Sequence, residues 1–323
     1  TLAGARGVPW ECPDAAAAAI GERSMRLFAE GALAYLRGEF ERAKHAFGAI
    51  EDDAARLYAC SLAAAAAVST GDWLLWREIE GYCQKQASRG ALAGIVAEWA
   101  LTSVYTGAYV PSMIPEWLKN GEFGHLPVAL RLETFYRYAK WLQYEKRHEA
   151  ALAVAQAGLA FYERGHGITG AGVYLRISAA IACSQLNRLD KAYAYLADVM
   201  ADCMPLGLIT PFVESSPHLG GLVEQLVEQR YPAYVDAVAR QTLQTIPNWM
   251  MFHNRHAAKR ITPLLTPQEY QIAKAAVSGA SRQEIAERFH LSQGTVKNKM
   301  SKIYQTLFIY GKNRNEQLAK HIL

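Results

Sequence analysis

The chain has little of what usually announces chemistry. Its five cysteines, at positions 12, 60, 83, 183 and 203, are odd in number and never spaced C-x-x-C, in 323 residues that are enough to build a core. That argues against a disulfide framework or a thiolate metal site and for buried, reduced thiols, as expected of a cytoplasmic protein. No run of about 18 uninterrupted apolar residues occurs, and the alanine-rich stretch 63–68 is too short to span a bilayer. The first twenty residues hold Glu11 and Asp14 and no apolar core of signal-peptide length, so no secretory leader is read there. A G-x-x-x-x-G-K-[ST] phosphate loop is missing, and Asp, His, Ser and Cys lack nucleophile-elbow or zinc spacing. His253 and His256 stand three apart, with no carboxylate or cysteine in register to complete a metal site. No catalytic residue, metal or cofactor is therefore expected, and signals for β-structure are scarce throughout.

What the chain does have is an uneven charge. The total of 34 basic and 30 acidic residues says little, but from residue 258 to the end there are eleven Lys or Arg against four Glu, a surplus of seven. The preceding residues hold 23 bases and 26 acids, a net of −3. A basic module behind a mildly acidic body is the electrostatic footprint of a phosphate-binding end, since neutralised phosphates release counterions and dominate affinity.

Residues 265–307 read as three short helices with sharp boundaries. Thr266-Pro267 supplies an N-cap and a proline at the first helical position, Glu269 completes a capping box, and Gly279 stops the helix. Ile272, Ala273, Ala276 and Val277 mark its buried face. Ser281 and Glu284 form a second capping box ahead of Ile285, Ala286 and Phe289, and His290-Leu291 makes a turn. Ser292 caps a third helix, in which Val296, Met300, Ile303 and Leu307 face inward while Gln293, Lys297, Asn298, Ser301, Lys302 and Gln305 face out. Lysines on a helix are ordinarily just a solvated face. Here two tightly capped helices joined by a short turn, the second opening with bases and amides, match what the major groove requires of a helix-turn-helix reader.

This segment resembles the helix-turn-helix of the LuxR/GerE superfamily. The resemblance rests on Leu265-Thr266-Pro267-x-Glu269, on Glu284-Ile285-Ala286 and on Leu291-Ser292-x-Gly294-Thr295-Val296-Lys297. It implies that Lys297, Asn298, Ser301 and Lys302 approach bases, with Thr295 and Lys299 nearer phosphate. It also implies a fourth helix, entered here through Asn313-Arg314-Asn315-Glu316, that commonly pairs two domains on DNA. In that helix Leu318, Ala319 and Ile322 fall on one apolar stripe, expected to meet a second copy. Lys259 and Arg314 are added as phosphate contacts. Two departures stand out: the family usually has histidine at the place of Lys299 and glycine at that of Phe308.

Upstream, Gly31, Gly38-Glu39-Phe40-Glu41-Arg42-Ala43 and Phe47 resemble the tetratricopeptide repeat, a helical hairpin whose small residues let two helices approach closely. Similar turns recur at Gly71-Asp72-Trp73, Gly107-Ala108-Tyr109, Lys146-Arg147-His148 and Asn187-Arg188-Leu189. Paired helices stacked as a solenoid explain this spacing better than an α/β body. Residues 206–226 resemble the end of the MalT-like repeat domain. Such regulators typically carry an ATPase ahead of the repeats, so any nucleotide-driven switch would lie outside this chain. Trp73, Trp76, Trp99, Trp117 and Trp141 are read as core packing between helices, or alternatively as the lining of a ligand groove.

The expected architecture is all-α: a repeat body over 1–246, a connector over 247–262 and a four-helix DNA-binding domain over 263–323. The expected function is bacterial transcription regulation, non-enzymatic, with promoter DNA and RNA polymerase as partners. A small-molecule or protein effector would act on the body, and the chain would bind DNA as a homodimer. The alternatives are a tetratricopeptide-type protein-interaction scaffold and a sigma-factor-like promoter reader.

Overall fold

The computed structural model describes residues 13–89, 91–108, 110–162, 170–219, 221–256, 265, 267–306 and 313–322. Among the described residues the regular structure is helical and no strand forms. The chain divides into a body, Thr1–Ser215 with Leu226–Ile261, and a C-terminal unit, Ser216–Gln225 with Thr262–Leu323.

In the body, α1 (Pro13–Ala18) precedes five helical pairs: α2 (Arg23–Leu36) with α3 (Phe40–Gly48), α4 (Asp53–Thr70) with α5 (Trp73–Ala87), α6 (Ala91–Ala108) with α7 (Glu116–Lys119), α8 (Val128–Tyr144) with α9 (His148–Tyr162), and α10 (Gly170–Gln185) with α11 (Leu189–Cys203). The first helices of successive pairs pack on one another, α2 on α4, α4 on α6, α6 on α8 and α8 on α10, which is the expected solenoid. Small residues set the spacing. A Cβ on Gly31 would stand 2.6 Å from the Phe47 ring, so α2 and α3 approach as closely as they do because that side chain is missing.

The turns that the spacing marked share one backbone device. Gly38, Gly71, Lys146 and Asn187 all have positive φ. In each case the next residue donates its N–H five residues back: Glu39 to Ala34, Asp72 to Ala67, Arg147 to Leu142 and Arg188 to Cys183, at 2.8–2.9 Å. This left-handed termination satisfies carbonyls that the helix end leaves open and reverses the chain within a few residues. The third pair departs from the pattern. Gly107 lies inside α6, and Pro111 and Pro115 interrupt the chain beyond it, leaving a 3-10 turn (Pro111–Met113) and an α7 of four residues.

After α11 come α12 (Thr210–Ser215), α13 (Leu222–Arg230) and α14 (Val235–His256). Here the structure corrects the expected connector: residues 247–256 belong to α14, a helix of 22 residues with Pro247 inside it. The proline has no N–H for the carbonyl of Leu243, four residues earlier, and Leu243 is an exposed residue of the helix. The remainder of the expected connector, 257–262, lies outside the described residues. α14 also runs across the ends of the repeat helices. Gln241 sits over the turn at Gly38 and Asn248 over that at Gly71, close enough that a Cβ on either glycine would come within 2.7 Å and 3.0 Å of the amide. Asn248 donates to the Ser69 carbonyl at 3.0 Å and the Trp249 indole to the Gly107 carbonyl at 2.8 Å. Phe252 is fully buried against Trp73 and Trp76. Most of the expected tryptophan core is borne out here, since Trp76, Trp99 and Trp141 are buried. Cys60, Cys83, Cys183 and Cys203 are buried free thiols.

The C-terminal unit holds α15 (Pro267–Val277), α16 (Arg282–Arg288), α17 (Gln293–Thr306) and α18 (Arg314–Ile322). Ser216–Gln225, expected to finish the repeat array, groups with this unit instead, and its Leu219 and Val223 are buried. A boundary drawn along the chain cannot show a piece that joins from a distance.

Candidate nucleic-acid interface

Local capping places α17. Ser281 accepts the Glu284 N–H at 3.2 Å and donates its own N–H to the Glu284 carboxylate at 2.7 Å, the reciprocal box expected there. The Ser281 backbone N–H, followed by the Ser281 side chain, holds the Glu284 carboxyl below the usual carboxylate range. α16 ends at Phe289, and His290, at φ +51°, turns the chain while Leu291 donates to the Ala286 carbonyl at 2.9 Å. Ser292 then accepts the Thr295 N–H at 3.0 Å and opens α17. The Thr266 half of the first capping box lies outside the described residues.

The core beneath is small and continuous. Ile272, Ala273, Ala275, Ile285, Ala286, Val296, Met300, Ile303 and Leu318 are buried together, with Leu291 and Tyr304 partly covered against them. On α17 the buried set recurs at 296, 300 and 303, which leaves Lys297, Asn298, Ser301 and Lys302 exposed along the opposite side. The four residues expected to approach bases therefore share one open face. Thr295 and Lys299 are half-buried at its edges, and the Thr295 hydroxyl is 2.9 Å from that of Ser292. Arg314 is exposed at the start of α18, with its guanidinium 5.6 Å from the centre of the Tyr304 ring. Lys259 lies outside the described residues.

Two features went unseen in the sequence. Lys302 Nζ pairs with the Glu269 carboxylate at 2.9 Å, and Glu269, on α15, is only 6% exposed while Lys302 remains 67% exposed. Tyr304 donates to Asn315 Oδ1 at 2.9 Å and so ties α17 to α18. Both join residues of different helices, and helical periodicity reports only neighbours on one helix.

The expected pairing stripe on α18 needs correction. Leu318 is 0% exposed inside the core just described, where α18 packs against α15, so it is a structural residue of the unit itself. Ala319 is half-buried, and the Ile322 side chain lies outside the described set.

His253 of α14 is buried and stacks on Trp249 at 5.5 Å, and no metal-binding group of three or more His, Cys, Asp or Glu occurs among the described residues. Among them, too, no helix is long and apolar enough to cross a membrane.

No curated protein and no solved structure matches the chain. Residues 263–314, running from ahead of α15 to the first residue of α18, match the family of bacterial regulatory proteins of the luxR type, GerE. The C-terminal part of this chain is a LuxR-family helix-turn-helix domain.

Proposed function

We propose that the chain is a DNA-binding transcriptional regulator whose α17 enters the major groove. The observation that carries this reading is the open face of Lys297, Asn298, Ser301 and Lys302, backed by a buried row and presented on the second of two capped helices. Lysine and asparagine suit base edges, whose acceptors and paired donor–acceptor groups they match. In this reading Lys297, Asn298 and Ser301 read bases directly. Lys302 does so after leaving Glu269. Thr295, Lys299, Arg314 and Lys259 serve phosphates. One such helix covers a single groove face, so two copies on half-sites about one helical turn apart belong to the proposal. The repeat body is the part that receives a signal, and RNA polymerase is the partner of the bound complex.

The test is a mobility shift of the full chain on fragments of its source genome, with wild type and Lys297→Ala. Loss of about 1–3 kcal/mol on the selected site, with little change on random DNA, is expected of a base contact. Equal losses on both would move Lys297 to the phosphate set. Only weak, salt-erased binding by wild type would favour an interaction scaffold.

A further inference from the structure

The body gathers charge at one place on its first-helix row. α8 carries Glu133, Tyr136, Arg137 and Lys140 three to four residues apart, hence on one side of the helix. Tyr174 of α10, Glu214 of α12 and Tyr35 of α2 complete the group. The Tyr35 and Tyr174 hydroxyls both donate to the Glu214 carboxylate, the second at 2.9 Å. Tyr136 stacks on Tyr174 with ring centres 4.7 Å apart. The Arg137 guanidinium lies 3.8 Å over Trp99 and 4.0 Å from the Glu133 carboxylate.

Glu133, Tyr136, Lys140, Tyr174 and Glu214 are each half-buried as residues. Surrounding protein nonetheless strips enough solvent to push the carboxyls of Glu133 and Glu214 up and the Lys140 ammonium down.

The charges do not all find contacts. Glu133 faces Arg137, and Glu214 takes two phenolic hydroxyls. Lys140 feels the charge of Glu214 only at a distance, and among the described residues its ammonium has no hydrogen bond or ion pair. Three donors on a crowded cation call for an acceptor. With the Glu214 carboxylate already acting on Lys140, a singly charged guest is favoured over a dianion, and the stacked rings beside it favour a flat apolar part.

We propose that this cluster is a binding site for a small aromatic monocarboxylate, its carboxylate on Lys140 Nζ and its ring against Tyr136 and Tyr174. The proposal rests on the reading of the body as the signal-receiving part. The path out of the site is short. Thr210, on α12 with Glu214, donates to the Tyr35 carbonyl at 2.7 Å and accepts from Gln241 of α14 at 2.8 Å.

The experiment is calorimetric titration of the full chain with benzoate and phenylacetate, with phenyl phosphate as the dianion. Wild type is expected to bind both monocarboxylates saturably and more tightly than the phosphate. Lys140→Met should weaken binding about tenfold or more, Lys140→Arg should retain it, and the exposed Lys85→Met should leave it unchanged. Glu214→Gln should tighten it several-fold by removing a nearby negative charge. Circular dichroism confirms that each variant is folded. Absence of saturable binding by wild type, tighter binding of phenyl phosphate, or wild-type affinity in folded Lys140→Met would overturn the site. A mobility shift on the same samples separates the two readings. Benzoate binding with unchanged DNA affinity keeps the anion site and removes the sensor role. DNA binding without benzoate binding removes the anion site and leaves the DNA-reading role in place.

Discussion

Glu269 and Lys302 show how one side chain can serve both the fold and the interface. The carboxylate is nearly covered while the ammonium is mostly open, so the pair draws a lysine of the exposed α17 face back onto α15. Glu269→Gln should release it. The expected result is tighter DNA binding with a salt dependence steeper by about one counterion, and a modest loss of thermal stability. A salt titration of the mobility shift reads the first and a melting curve the second. Unchanged salt slope would mean that Lys302 already reaches DNA with the pair intact. Leu318 makes a second case. Because it fills the core of its own unit, Leu318→Ala should cost about 2–5 kcal/mol in denaturant unfolding, and Leu318→Glu should abolish binding to half and full operators alike. Retained half-site binding with lost cooperativity would return Leu318 to a pairing surface.

At the scale of elements, legibility followed locality. The repeat turns could be read because a left-handed position must be filled by glycine, asparagine or a residue that tolerates strain, and the chain places Gly38, Gly71, Lys146 and Asn187 there. The caps of α16 and α17 were equally plain, since Ser281, Glu284 and Ser292 act within three residues of themselves. α14 was not legible, because a proline in the interior normally argues against a helix. The shrunken α7 and the detached piece 216–225 depend on packing that has no periodic trace. Lys146 offers a direct test of the turn argument: Lys146→Gly relieves a left-handed side chain and should raise stability by about 0.5–1 kcal/mol, measured by urea unfolding. A loss would show that the lysine makes a contact worth more than the strain. Asn248→Ala should lower stability by about 1 kcal/mol by leaving the Ser69 carbonyl without its donor.

For the whole molecule, the half-buried residues Glu133 and Glu214 give stability a definite slope with pH. Glu214 has its carboxyl raised above 4.5 chiefly by burial, so the fold favours its protonated form. The contribution of this group is therefore full below 4.5, the ordinary value, and is lost as pH rises through the higher folded value. Glu133 acts in the same direction and for the same leading reason. Glu214→Gln keeps an acceptor for the two tyrosines but cannot ionise, so its melting temperature should fall less than that of wild type between the ordinary carboxylate range and neutrality. Parallel pH profiles for the two proteins would remove Glu214 as the cause.

Along α14, seven residues separate Gln241 from Asn248. At about 1.5 Å per residue that step is roughly 10 Å, which matches the spacing of packed helices and so of one repeat from the next. α14 is a ruler laid against the array: each tick is an amide that fits over one hairpin turn. An array measured in this way cannot gain or lose a hairpin between these first two turns by simple duplication or deletion. The ruler would have to change by the same seven residues at once, so the step between these two turns is written twice, in two distant stretches of the chain.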